Sequence, residues 1–361
     1  MISHQLAAMA SDWSVLVCNG LLQSLHFVPA AAFLRSHPPG AYTTTRTMDQ
    51  ASCLLLWERH MARLFQSMRL VAKEMPALYP KEIQHSSANW ETGIKYKLQS
   101  SLQVGLVRSL ELKNMNDELV ISVLASGNTD NAEPCPQQKQ SVCDLYVHIS
   151  SHVVLPQVTP AHLAVMGPGR NLPLAKLSSW AKTRQILEQL RPRDATEVLL
   201  SKDGHKLLEG LLTNFFVVVN INPTKYEEGQ QHSEDYLWEN IEVQTAPLKE
   251  GVLPGVIRKL IIESFLERRI RFREVAPVWE DRHIWKEAFI TSSLRLVQPV
   301  ASVQAPSPWN ANFIPEKWLQ CHWERFKFEG STKITEQIKD DIISRARMEG
   351  VSLQTLLTSS T

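Results

Sequence analysis

An acid stands at the mouth of a long apolar run in residues 207–219, Leu-Leu-Glu-Gly-Leu-Leu-Thr-Asn-Phe-Phe-Val-Val-Val. From residue 214 the run has the aromatic and β-branched content of a buried strand. An unpaired buried charge is too costly to keep, so Glu209 must meet something positive. Two nearby features could belong to the same site. Upstream is Lys176, in Asn171-Leu-Pro-Leu-Ala-Lys-Leu-Ser-Ser-Trp180. Downstream, Leu253-Pro-Gly-Val-Ile257 opens a helix.

The pattern around this core predicts a mixed helix and sheet chain. Residues 197–200 and 207–209 flank Lys202-Asp-Gly-His205, and Asp-Gly between apolar runs predicts a hairpin. Residues 214–221 continue as a buried strand, and the polar, acidic stretch 223–243 reads as a surface insertion. Ile257, Leu260, Ile261 and Phe265 recur at helical spacing and give the helix after Pro254 one buried face. Residues 284–300 hold another strand, ending in Thr291-Ser-Ser293, and an amphipathic helix follows near 332–348. In the first half, strands are predicted at 15–18, 40–47, 119–124 and 145–149. A helix is predicted over 52–74, with Leu54, Trp57, Met61, Leu64, Met68 and Val71 on one face. Residues 127–140 form a polar loop. Residues 156–174, with Pro156, Pro160, Pro168, Gly169 and Pro173, read as a linker. The expected division is a small domain over 1–155, this linker, and a larger domain over 175–361.

Charge narrows the function classes. With 38 basic and 37 acidic side chains, the chain carries no net field to draw it to nucleic acid or to a membrane surface. Cys18, Cys53, Cys135, Cys143 and Cys321 are scattered without a C-x-x-C pair, so they read as reduced thiols and not as a zinc site. No metal is expected. No apolar run reaches the roughly 18 residues that cross a bilayer. The expected compartment is the cytoplasm. The acid-poor stretch before Asp49 makes a plastid the alternative.

The chemistry-bearing residues each have two readings. Lys176 is either a solvated lysine at a helix start or an amine in a dry pocket that forms a Schiff base with an aldehyde. Glu209 either ends a hairpin strand in water or holds the ring nitrogen of a cofactor protonated. The Leu253-Pro-Gly start is helix punctuation, or its Val256 and Ile257 amides bind a phosphate. Thr291, Ser292 and Ser293 form a polar loop, or supply donors to a phosphate or carboxylate. Arg63 is a surface charge, or a buried guanidinium that reaches a phosphate.

In combination these segments resemble the class IV, fold-type IV pyridoxal-phosphate enzymes, the group of branched-chain and D-amino-acid aminotransferases and aminodeoxychorismate lyases. The resemblance covers about residues 15–305. It rests on Gly40-Ala-Tyr-Thr-Thr-Thr-Arg46, His60-Met-Ala-Arg63-Leu, Lys176, Glu209-Gly-Leu-Leu-Thr-Asn214, Leu253-Pro-Gly-Val-Ile-Arg258 and Glu287-Ala-Phe-Ile-Thr-Ser-Ser293, with Val297 and Pro299 beyond. It implies an α/β (α+β) chain of two domains, the larger with a barrel-like β core, and pyridoxal 5'-phosphate as cofactor. Lys176 becomes the Schiff-base lysine and proton shuttle, and Glu209 the partner of the pyridine nitrogen. Arg63, the Val256 and Ile257 amides, Ser292 and Ser293 hold the phosphate, and Asn214 joins the cofactor site. Tyr42, Thr44, Arg46 and Thr291 face the substrate, an amino acid or a 2-oxo acid. A homodimer is implied, because the family's pocket borrows residues from a second subunit. The chain departs from the family in four places, one of them residues 223–243, which are longer than the family's usual turn. Ser179 and Trp180 stand where an Asn or Tyr is usual, Ser292-Ser293 where Gly-Thr is common, and Arg35-Ser-His-Pro-Pro-Gly40 replaces Tyr-Gly-Asp-Gly.

Three activities follow from the resemblance. The first is an aminotransferase of amino acid metabolism. The second is a lyase that eliminates pyruvate from aminodeoxychorismate, suggested by Thr43-Thr44 after an aromatic residue. The third is a binding protein that has lost catalysis.

Overall fold

A computed structural model describes residues 13–84, 88–127, 143–153, 159–221, 238–309, 318 and 320–358. The polar stretch 128–142 with Cys135, and most of the expected insertion at 222–237, lie outside the described residues. The chain divides into two compact units. The first comprises Met1–Pro156, Ala175–Thr183 and Ala346–Thr361, and the second Gln157–Leu174 and Arg184–Arg345. The proline-rich stretch read as a linker therefore packs with the second unit. Lys176 and the C-terminus pack with the first.

The first unit is built on a seven-stranded sheet. Its strands are β1 (Trp13–Cys18), β2 (Leu21–His26), β3 (Gly40–Met48), β4 (Cys53–Leu54), β5 (Glu118–Ser126) and β6 (Asp144–His152), with β15 (Val351–Ser352) from the C-terminus. The order is β15-β4-β3-β5-β6-β1-β2. Helix α1 (Ala30–Ser36) precedes β3. Helix α2 (Trp57–Glu74) lies against β3, and α3 (Ala88–Leu112) against β1 and β6. The helix predicted over 52–74 starts later than expected. Leu56 has a left-handed backbone with φ 52°, and Cys53–Leu54 pair as a strand with Thr47 and Met48. The C-terminus returns because Val351 and Ser352 extend the sheet past β4. Arg347 also pairs with Asp49, and Arg59 with Glu349.

The second unit has an eight-stranded sheet of β7 (Ala161–Val165), β8 (Glu197–Leu199), β9 (Asn214–Asn220), β10 (Ile241–Thr245), β11 (Phe272–Glu274), β12 (Trp285–Ser292), β13 (Leu296–Ser307) and β14 (His322–Lys327). The path runs β11-β10-β9-β12-β13-β7-β8, with β14 on β13. Bridges Leu199↔Gly210 and Glu209↔Asn214 carry the path from β8 back to β9 and close a barrel-like core. Phe215, Val217, Ala288, Ile290, Leu163, Val165 and Val303 fill its interior. The expected hairpin is present. Asp203 Oδ1 accepts the His205 and Lys206 amides, and Gly204 turns at φ 77°.

Three expectations are corrected here. β7 lies inside the supposed linker, held between β13 and β8. Residues 241–243 belong to the buried strand β10 and not to an insertion. Residues 284–300, read as holding one strand that ends in Thr291-Ser-Ser293, hold that strand as β12 and also the start of a second, β13, paired antiparallel with it. Short helices α4 (Trp180–Thr183) and α5 (Gln185–Leu190) follow Lys176. Helix α6 (Val256–Glu267) follows Pro254-Gly255, α7 (Lys333–Met348) lies near the C-terminus, and α8 (Leu353–Thr358) ends the described chain. Among the described residues no helix is long and apolar enough to cross a membrane.

Candidate active site

In the first unit, polar residues gather along one row of α2. His60, Arg63 and Ser67 fall three and four positions apart on the helix face that also buries Met61, Leu64 and Met68. That face meets β3. Arg63 Nη2 donates to Thr43 Oγ1 at 2.7 Å, and Thr43 Oγ1 lies 2.8 Å from His60 Nδ1. Thr43 has one hydroxyl proton and no other acceptor among the described residues, so it donates to Nδ1. His60 therefore carries its hydrogen on Nε2. Nε2 is buried and has no hydrogen-bond partner among the described residues. Burial, reinforced by Arg63 and Lys176, pushes the His60 pKa well below the usual imidazole range, which keeps the ring neutral.

Ser67 fixes the lysine's backbone. The Lys176 amide donates to Ser67 Oγ at 3.1 Å, and its carbonyl accepts the Tyr42 amide at 2.9 Å. Ser178 N–H donates to the Gly40 carbonyl, and Leu177 bridges Ala41. This short segment thus borders the first residues of β3, while β4 takes the last. The Lys176 side chain is half-buried, and its Nζ lies 4.6 Å from the centroid of the Tyr42 ring. Tyr42 is itself held among Phe33, Leu34, Leu124 and Ala181.

Other expected residues of this unit lie apart. Alternation along β3 puts Arg63, through Thr43, on the face opposite Tyr42. Thr44 shares Tyr42's face and hydrogen-bonds Ser122 at 3.0 Å. Arg46 is on that face too, but four positions on, about 13 Å along the strand. Its guanidinium is buried near Glu118 and Asp49, and burial lowers its pKa.

In the second unit the positive group that Glu209 requires is Arg170. Arg170 Nε lies 2.8 Å from Glu209 Oε1, with the side chains 5% and 1% exposed. Arg170 Nη2 also donates to the Leu211 carbonyl at 3.0 Å. Glu209 Oε2 accepts the Leu253 amide at 3.0 Å and Asn214 Nδ2 at 3.3 Å. Asn214 Nδ2 reaches the Leu253 carbonyl at 2.9 Å as well. One network thus ties the acid to the loop that opens α6.

Gly255 caps α6 without a side-chain hydrogen bond. The first-turn amides of Val256 and Ile257 have no acceptor within the helix, which makes this end a natural anion site. Thr291 is the cross-strand partner of Asn214 on the outer barrel face. Its Oγ1, and that of Thr213, are buried with no hydrogen-bond partner among the described residues. Ser292 Oγ accepts the Arg295 amide at 3.2 Å, and Ser293 is half-buried.

Each unit by itself carries groups of the kinds that pyridoxal phosphate uses. The first unit offers an amine with a fixed backbone and a neutral N–H donor beside a guanidinium. The second offers a buried acid paired with an arginine, two hydroxyls with no hydrogen-bond partner among the described residues, and an open helix end. Sequence reading found no sign of a role for Arg170, Ser67 or Thr213, marked His60 only as part of a motif, and marked Thr43 only as a hydroxyl for an elimination. The signal for His60, Arg63 and Ser67 was their helical spacing on an otherwise apolar stripe.

The sequence profile described as "Amino-transferase class IV" matches residues 40–303. No curated protein sequence matches the chain. Among solved structures, the fold is similar to a hypothetical aminotransferase from Mycobacterium tuberculosis in its apo form, at 14% identity and TM-score 0.59, covering 93% of this chain and 99% of that one. It is also similar to the branched-chain aminotransferase of the thermophilic archaeon Thermoproteus uzoniensis with norvaline, at 15% identity and TM-score 0.58, covering 93% and 96%. A protein from Legionella pneumophila provisionally named a 4-amino-4-deoxychorismate lyase aligns at 12% identity and TM-score 0.54, covering 89% and 95%.

Proposed function

The chain belongs to the class IV aminotransferase family, whose cofactor is pyridoxal phosphate, and we propose that it is an aminotransferase acting through Lys176. The observation that supports this reading best is the setting of that lysine. Hydrogen bonds with Ser67 and Tyr42 fix its backbone, and its amine lies over the Tyr42 ring. When bound, pyridoxal phosphate supplies an electron sink for the α-carbon of an amino acid.

In this reading Lys176 Nζ would be the amine that holds the cofactor through its aldehyde. The same amine, when free, would carry the substrate's α-proton. Glu209 would pair with the ring nitrogen and favour its protonated form. Arg63, Ser292, Ser293 and the Val256 and Ile257 amides hold the phosphate, and Asn214 keeps Glu209 and the Leu253 loop in register. Tyr42, Thr44, Arg46 and Thr291 contact the substrate. The active form is a homodimer, as the family resemblance implies.

A lyase is the second reading. Thr43 is committed to His60 and Arg63, which leaves Thr44, on the Tyr42 face, as the hydroxyl able to assist an elimination. The purified protein loaded with pyridoxal phosphate is to be assayed with a panel of L- and D-amino acids and 2-oxoglutarate or pyruvate, and separately with aminodeoxychorismate. Transfer to a 2-oxo acid supports the aminotransferase. Pyruvate release without transfer supports the lyase, and neither activity in a protein that binds the cofactor supports a binding role.

A further inference from the structure

We propose that Arg170 is a positioning residue that shares Glu209 with the nitrogen of the cofactor ring, and thereby limits how firmly that nitrogen is protonated. This rests on the reading that Glu209 faces the ring. Its physical basis lies wholly within the second unit. Glu209 Oε2 already accepts the Leu253 amide and the Asn214 carboxamide. Oε1 lies 2.8 Å from Arg170 Nε. A guanidinium stays charged at any working pH. The bond from Arg170 Nη2 to the Leu211 carbonyl holds it in place. A ring N–H arriving at this acid therefore meets a group already paired with a fixed cation. Like charges a few ångströms apart disfavour each other, so the guanidinium opposes the protonated ring while the carboxylate favours it. A lone glutamate would bind the ring proton more tightly than this pair does. Arg170 also keeps the buried acid paired when no ring is present.

The test uses the whole chain loaded with pyridoxal phosphate carrying 15N at the ring nitrogen. The chemical shift of that nitrogen reports its proton directly and does not depend on turnover. The proposal predicts that Arg170→Gln moves the signal toward the protonated value and raises the pH at which it titrates, while Arg170→Lys, which keeps the charge, stays near wild type. Identical shifts and titrations in wild type and Arg170→Gln overturn it.

A second measurement needs no variant. Wild type is titrated with the analogue whose ring nitrogen is replaced by CH. With Arg170 holding Glu209, affinity is expected to fall by no more than about tenfold relative to pyridoxal phosphate. A loss of about a hundredfold or more means that the acid depends on the ring for its partner, and contradicts the proposal. A wild-type chain that binds no pyridoxal phosphate removes the cofactor reading, and this inference with it. Tight cofactor binding with an unchanged 15N signal removes the inference alone.

Discussion

The carboxamide oxygen of Asn214 occupies the space in which a side chain on Gly255 would begin. Asn214 cannot move aside without giving up its bonds to Glu209 and to the Leu253 carbonyl. Strand β9 and the start of α6 are therefore locked together through this one contact. The acid and the open helix end are held in a fixed relation, as a ligand with a ring nitrogen and a phosphate requires.

Gly255→Ala is expected to break that lock. The added methyl meets the Asn214 carboxamide, which its hydrogen bonds hold in place, so the cost is the overpacking range of about 1–3 kcal/mol. Thermal unfolding should show it. Affinity for pyridoxal phosphate, read by fluorescence quenching, should fall by about tenfold or more. Unchanged stability and unchanged affinity would contradict the lock.

Glu209→Ala leaves Arg170 buried and without its counter-ion. Breaking a buried pair from one side costs about 3–5 kcal/mol. Glu209→Gln, which can still accept hydrogen bonds, should cost less. The double substitution Arg170→Met with Glu209→Leu should regain most of the stability lost in Glu209→Ala, as read by urea unfolding of the cofactor-free protein. A double variant less stable than Glu209→Ala would show that the pair is not the origin of the loss.

What the sequence disclosed, and what it hid, follows from how local each signal is. Strands β3, β5, β6 and β9 were legible from apolar and β-branched content, the Asp203-Gly204 hairpin from turn chemistry, and α6 from its Pro-Gly start and buried stripe. Helix α3 was not assigned. Its buried row of Ile94, Leu98, Leu102 and Leu106 is masked by exposed Tyr96 and Val107 on the other faces. β7 was hidden because five strand residues sit among prolines, and it pairs with partners that come later in the chain. Glu209 was legible because a buried acid in an apolar run is anomalous. Its partner Arg170 was not, since the pair spans 39 positions and the arginine lies in a stretch that composition marks as a linker. Arg46 carried the family's pattern, yet its own surroundings are Glu118 and Asp49.

Acid should weaken the protein partly through its buried histidines. Burial lowers His60 well below its ordinary value and takes His152 down to about 4. Such groups stay neutral in the folded chain while the unfolded chain takes up protons below about pH 6.5. Their contribution is thus fully present above pH 6.5 and is lost as pH falls from there toward the folded values. One such group gives a slope of at most about 1.4 kcal/mol per pH unit. His60→Asn keeps an acceptor for Thr43 and removes the titrating ring. Its stability between pH 7 and 5 should fall less steeply than that of wild type, by denaturant melts at each pH. A parallel decline would contradict the assignment.

Lys176→Ala should fold normally, because the lysine's hydrogen bonds to Ser67 and Tyr42 come from its backbone. Amino transfer should drop by about a thousandfold or more, as expected when a covalent and proton-shuttling group is lost. Circular dichroism and a coupled 2-oxo-acid assay on the same preparation check both halves. Transfer at the wild-type rate would refute the role.

The central claim is that Lys176 is the amine that bonds the aldehyde. Incubating the purified chain with pyridoxal phosphate, reducing with borohydride and mapping the peptides tests it most directly. The account predicts a pyridoxyl group fixed on Lys176 and absent from Lys176→Ala. A label fixed on a different lysine, or no fixed label at all, contradicts it.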